Sequence, residues 1–197
     1  MFGRSLLVAA CSLAFASTAA MAQKRENIRG TVKQVSGDSV MVAKKGGGEA
    51  TVHLDAKTRI STTAKFSLAD IKPGMKLGVT TVVRGNDIVA IDVRPIPPAA
   101  RDGLSPYDLA PKSTMTNGVL EGTVEQSPKG NFVTIDYKTG KVKVLVPPGT
   151  PMSKAAPGTK ADIKPGVAIY VATVAGKDGK LNAMRLQVGK DGINPTQ

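Results

Sequence analysis

His53 is the sole histidine of the 197-residue sequence and Cys11 the sole cysteine. The side chains best suited to acid–base and nucleophilic work near neutral pH therefore occur once each. Covalent catalysis needs a Ser, Thr or Cys beside an activating base. His53 alternates with Val52 and Leu54, which predicts an outward-facing strand residue opposite a buried face. No Gly-x-Ser-x-Gly elbow accompanies it. Gly46-Gly47-Gly48 lacks the Lys-Ser/Thr ending of a phosphate loop and reads as a hairpin turn. Paired carboxylates could hydrolyse glycosides, and Asp70 and Asp162 are the acids that recur. Each precedes Ile-Lys-Pro-Gly, where a carboxylate is placed to accept from turn amides.

Metal chemistry has as little to draw on. Zinc prefers Cys and His, calcium needs clustered oxygens, and no Asp-x-Asp-x-Asp run exists. Copper(I) favours thioethers, but Met41, Met75, Met115, Met152 and Met184 are scattered and read as packing residues. The expectation is a chain with no catalytic residue, no cofactor site and no metal site, whose ligand-binding residues the sequence does not mark.

The first residues read as a secretory signal. Arg4 supplies the positive end, Ser5 to Ala16 the short apolar stretch, and Ala20-Met21-Ala22 the small-x-small cleavage rule. Cleavage is expected between Ala22 and Gln23. Ser12, Ser17 and Thr18 interrupt the run, which falls short of the roughly 20 apolar residues of a spanning helix. Lipid modification at Cys11 would leave too short an apolar region before it. Removal of residues 1–22 leaves 197 − 22 = 175 residues without a cysteine, able to form neither a disulfide nor a Cys-based metal site. The expected location is the periplasm or outside the cell.

The elements that would position any site are strands. Gly30-Thr31-Val32 recurs as Gly122-Thr123-Val124, and Ala69-Asp70-Ile71-Lys72-Pro73-Gly74 as Ala161-Asp162-Ile163-Lys164-Pro165-Gly166, both at an offset of 92. Two matches at one offset point to a duplicated folding unit. Val40-x-Val42 and Val52-x-Leu54 have the period of half-buried strands, around turns at Ser36-Gly37-Asp38 and Lys45 to Gly48. A second hairpin turns at Gly85-Asn86-Asp87. The second copy repeats the plan, with turns at Thr139-Gly140 and Lys177-Asp178-Gly179. Between the hairpins, Ser67 to Ile71 predicts one helical turn capped by Ser67, and Pro73-Gly74 a tight turn. Three strands, a helical turn and two strands make a five-stranded OB-like barrel, with an SH3-like barrel as the alternative. The predicted organisation is a signal over 1–22, a first barrel over 23–97, a Pro-rich linker over 98–117, a second barrel over 118–192 and a tail over 193–197. Tyr107 and Leu109 are the linker residues expected to dock on a barrel.

The chain resembles a family of small exported bacterial envelope proteins built from two such repeats. The resemblance rests on Asp-Ile-Lys-Pro-Gly in each copy, on Tyr107-Asp108-Leu109 through Ser113-Thr114-Met115-Thr116-Asn117, and on Gly189-Lys190-Asp191-Gly192. It covers nearly the whole mature chain and implies fold and location without implying chemistry. Relatives often carry Trp where Tyr107 stands, and some are labelled metal ABC transporter permease. That label does not suit a sequence with no spanning segment. With 27 Lys and Arg against 15 Asp and Glu, the formal charge is +12, spread over both halves. An excess of this kind either solubilises or attracts an anionic partner. The reading is a non-catalytic periplasmic binding or scaffold protein that associates with anionic envelope components through dispersed lysines such as Lys44, Lys65 and Lys143. The alternative is a periplasmic accessory of metal uptake or handling. Nucleic acid is not expected, because few aromatics (Phe66, Tyr107, Phe132, Tyr137, Tyr170) remain after cleavage to stack bases.

Overall fold

The computed structural model describes residues 25–196; the cleavage site at Ala22 and Gln23 lies outside them. The first copy forms β1 (Arg25–Ser36), β2 (Ser39–Lys44), β3 (Glu49–His53), β4 (Arg59–Lys65), β5 (Lys76–Arg84) and β6 (Asp87–Pro95). The linker contributes β7 (Gly103–Pro106). The second copy forms β8 (Thr114–Ser127), β9 (Gly130–Asp136), β10 (Lys141–Val146), β11 (Ser153–Pro157), β12 (Ala168–Ala175) and β13 (Leu181–Val188). Single 3-10 turns at Leu68–Asp70 and Lys160–Asp162 precede β5 and β12. The turns fall where glycine and small polar residues place them.

The strands close into two five-stranded barrels. Barrel A runs β1–β2–β3–β13–β12 and back to β1; barrel B runs β8–β9–β10–β6–β5 and back to β8. In each, a three-stranded meander meets a hairpin whose second strand lies parallel to the third strand of the meander, an OB-like strand order.

The expected boundaries need correction. Residues 23–97 do not close on themselves, nor do residues 118–192. Each barrel takes its meander from one copy and its hairpin from the other. The cores follow this exchange: Ile28, Val40, Val42 and Val52 pack with Ile163, Ile169, Val171, Leu186 and Val188. Leu77, Val79 and Val93 pack with Leu120, Val133, Ile135 and Val144. The physical reason lies in β4 and β11, which were not expected as strands. They run on extended, so that the chain crosses to the other barrel before its 3-10 turn. The two crossing strands pair with each other, and Thr63 stands opposite Ala155. Since 155 − 63 = 92, the pseudo-twofold axis relating the copies passes between these residues.

The linker boundary also shifts, because residues 98–117 contain β7 and the start of β8. The repeated glycine has different settings in the two copies. A Cβ on Gly30 would lie 2.0 Å from the carbonyl oxygen of Ala43, so only glycine lets β1 pass from partner β12 to partner β2 there. In the second copy Gly118 makes the equivalent close approach, 2.3 Å from the oxygen of Asp136. Gly122, the sequence match, sits in the β8 bulge between Glu121 and Glu125.

Candidate functional site

The recurring acids hold the crossing turns in shape. Asp70 Oδ2 accepts from the backbone N–H and the hydroxyl of Ser67, at 2.9 and 2.8 Å. Asp162 Oδ2 does the same with Thr159, at 2.7 and 3.1 Å. The carboxylates therefore cap back onto the residue before each turn, accepting a turn amide in each case. The hydrogen bonds from Ser67 and Thr159 hold both carboxyls below the ordinary value of 3.8. His53 ends β3, half-buried, and its Nδ1 hydrogen-bonds to Ser39 Oγ at 3.1 Å across the β2–β3 pair. No carboxylate among the described residues bonds the other ring nitrogen, so this pair lacks the orienting group of a catalytic triad. Met75 and Met152 pack against the core of barrel B, Met115 is buried under Arg94, and Met41 lies on β2. Among the described residues no three His, Cys, Asp or Glu side chains gather as for a metal ion. No helix among them is long and apolar enough to cross a membrane.

What the fold brings together is a set of side chains at the seam between the barrels. On barrel A, Arg29 pairs in register with Tyr170, Tyr170 with Gln187, and Gln187 with Ser61. One step along, Arg185 stands directly beside Arg59 in the parallel β13–β4 pair. On barrel B, Asp92 faces Thr80 and Arg94 faces Gly78. A Cβ at Gly78 would crowd Asn117 Oδ1 and Ile96 Cγ2, each at 3.1 Å, and would touch the Arg94 guanidinium at 3.4 Å.

Aromatic rings and carboxylates organise these cations. The Arg29 guanidinium lies 5.4 Å from the Tyr107 ring centre and 5.1 Å from that of Tyr170, within cation–π range. Arg29 donates to Tyr107 Oη and to Asp108 Oδ1, each at 2.9 Å. Tyr107 thus docks the linker on barrel A, as its sequence position suggested. Burial raises the Tyr107 phenol above its ordinary value. Partial burial raises the Asp108 carboxyl, but the bonds from Arg29 and Asn27 outweigh it and hold the group low. Arg185 stacks 5.4 Å from the Tyr170 ring and donates to its hydroxyl at 3.3 Å.

Arg94 makes an ion pair with Asp92, whose side chain is only 1% exposed. Burial pushes the Asp92 carboxyl above the ordinary carboxylate range, against the pull of Arg94 and of the hydroxyl of Thr196. Burial lowers the Arg94 guanidinium, and Arg185 nearby adds to that. The C-terminal segment lies across the seam. Thr196 donates its hydroxyl to Asp92 Oδ1 at 2.5 Å and accepts from Arg29 Nε at 3.0 Å. The hydroxyl of Thr63 donates to the Ile193 carbonyl at 2.7 Å.

Between the crossing strands and the Pro95-Ile96-Pro97 segment lies a cavity of about 230 Å³. Arg59, Arg94 and Arg185 line it together with Ser61, Ser153 and Gln187. None of these arginines stood out in the sequence, where they lie 126 residues apart at the extremes and in three strands. The one local signal is Asp92-x-Arg94, a charged pair at period 2 on the non-core side of a strand. No protein-family model, no curated protein and no solved structure matches the chain.

Proposed function

We propose that this is an exported, non-catalytic binding or scaffold protein that loses residues 1–22 and associates with anionic components of the cell envelope. The charge balance of the folded surface supports the reading. Residues 25–196 contain 25 of the 27 lysines and arginines, since only Arg4 and Lys24 lie outside, and all 15 acids. Ten of these cations lie within 4 Å of a carboxylate, which leaves fifteen with no carboxylate that close among the described residues. The acids are almost all engaged. Nine sit in those pairs, and Asp55, Asp70, Asp136 and Asp162 accept hydrogen bonds in turns. The molecule thus presents cations whose charge its own acids do not neutralise.

Lys44 and Lys65 belong to the unpaired set. Lys143 does not: it pairs with Glu125 at 2.5 Å and stands 5.0 Å from the Phe132 ring. Exposed charges separated by more than a Debye length, about 8 Å at physiological salt, act independently, so association through dispersed cations is additive and salt-sensitive. Co-sedimentation with purified envelope fragments over a salt series tests this. Binding should fall steeply as salt rises and stepwise as Lys44→Gln and Lys65→Gln are combined, with Lys143→Gln nearly silent. No binding at low salt would refute the proposal.

A further inference from the structure

We infer that the seam cavity is a discrete binding site for a phosphate monoester, the dianionic group being held by Arg59, Arg94 and Arg185. This goes beyond the dispersed association proposed above and does not depend on it. The cavity concentrates positive charge where the fold could have avoided it. Arg59 and Arg185 are nearest neighbours across a parallel strand pair, and like charges placed directly opposite destabilise a sheet. Neither has a carboxylate within 4 Å among the described residues. Arg94 adds a third guanidinium, whose ion pair with Asp92 involves one terminal nitrogen. Among the described residues its other terminal nitrogen bonds only the thioether of Met115, at 3.4 Å, a weak acceptor. Three guanidiniums carry fifteen N–H donors, and few of them are committed to strong acceptors within the protein.

The chemistry of the wall selects the ligand. Guanidinium forks match the paired oxygens of phosphate and carboxylate. Counting Asp92, the three arginines leave a net local charge of about +2, which a phosphate dianion balances and a lone carboxylate does not. Pro95, Ile96 and Pro97 give the opposite wall apolar surface, suited to the carbon body behind the phosphate. At about 230 Å³ the space is below the range of roughly 300–1,000 Å³ typical of drug-sized ligands. It suits a small phosphomonoester or the phosphate end of a larger molecule.

Calorimetry with inorganic phosphate and with glycerol 3-phosphate covers the soluble source, and flotation with vesicles containing phosphatidic acid covers the lipid-borne source. Arg59→Gln and Arg185→Gln should each weaken binding about ten-fold or more, the loss of one charge-assisted contact. Arg94→Lys, which keeps the charge but not the fork, should do likewise. Arg59 makes no ion pair or hydrogen bond to another side chain among the described residues, so its variant tests the site without threatening the fold, and thermal melting checks all three. Arginine-dependent binding of the soluble phosphates establishes a site for a free ligand. Arginine-dependent binding confined to vesicles establishes one for a lipid headgroup. Absence of arginine-dependent binding in both arms overturns the inference. So does equal affinity for acetate. Binding that responds only to Lys44→Gln and Lys65→Gln would also overturn it, while leaving the dispersed association standing.

Discussion

Replacing Asp92 by alanine should destabilise the protein more than loss of one small side chain suggests. The Asp92 side chain is 1% exposed and that of Arg94 14%, so the variant leaves a guanidinium at the seam with Arg185 nearby and no counter-charge. It also strips the hydroxyl of Thr196 of its acceptor. Breaking a buried pair from one side costs about 3–5 kcal/mol, whereas replacing both partners with apolar groups of similar volume is often close to neutral. Asp92→Leu combined with Arg94→Met should therefore recover most of what Asp92→Ala loses. Urea unfolding at pH 7 without added anion is the assay. With an m-value of about 2 kcal/mol/M, the single variant should lower the midpoint by about 1.5–2.5 M and the double variant by under about 0.5 M. If the single variant moves the midpoint by less than about 0.5 M, or if the double variant is as unstable as the single, the pair is not holding the seam and the account given for it is wrong.

Thr196→Val, which removes the donor to Asp92 without changing shape, should cost about 1–3 kcal/mol, the usual penalty for stranding a buried polar atom, read from the same urea midpoints. Asp70 and Asp162 have folded-state pKa values below 3.8, so each stabilises the protein above its unfolded value, and that contribution is lost as pH falls through the folded value. The melting temperature of the native protein should accordingly drop more between pH 6 and pH 3 than that of an Asp70→Asn, Asp162→Asn variant; equal drops would count against the caps. A fragment ending at residue 106 keeps β1–β3 but lacks the hairpin that closes barrel A. It should not fold as a monomer, and sedimentation with circular dichroism showing a folded monomer would contradict the strand exchange.

Much of the fold was legible because strand alternation and turn chemistry are local. Val40, Val42 and Val52 are buried where their spacing put them, and Gly47 and Gly48 turn at positive φ. The partner of each hairpin was not legible. Leu77 and Val79 would fill either barrel equally well, because the copies resemble each other, and only the extended run of β4 decides which barrel they reach. The seam escaped notice for a related reason. Arg59, Arg94 and Arg185 sit in different strands, and each reads in its own segment as an ordinary strand arginine. The exchange that brings them together leaves no mark at Arg59 or Arg185, and at Arg94 only the charged pair with Asp92. The caps at Asp70 and Asp162 were legible as residues but not in their partners, since an acid at the third position of a turn can accept from either side of it.

The exchanged hairpins also impose an order on synthesis. A chain that emerges N-terminus first presents β1, β2 and β3 long before residues 168–188 exist to close them. Barrel B completes at residue 146, since all its strands precede β11. The half made second therefore finishes first, and the half made first waits with open strand edges that could template wrong pairing. In the waiting meander, Lys33, Lys44 and Lys45 put charge at those edges and near the turn between β2 and β3, one of the devices that discourage edge-to-edge association.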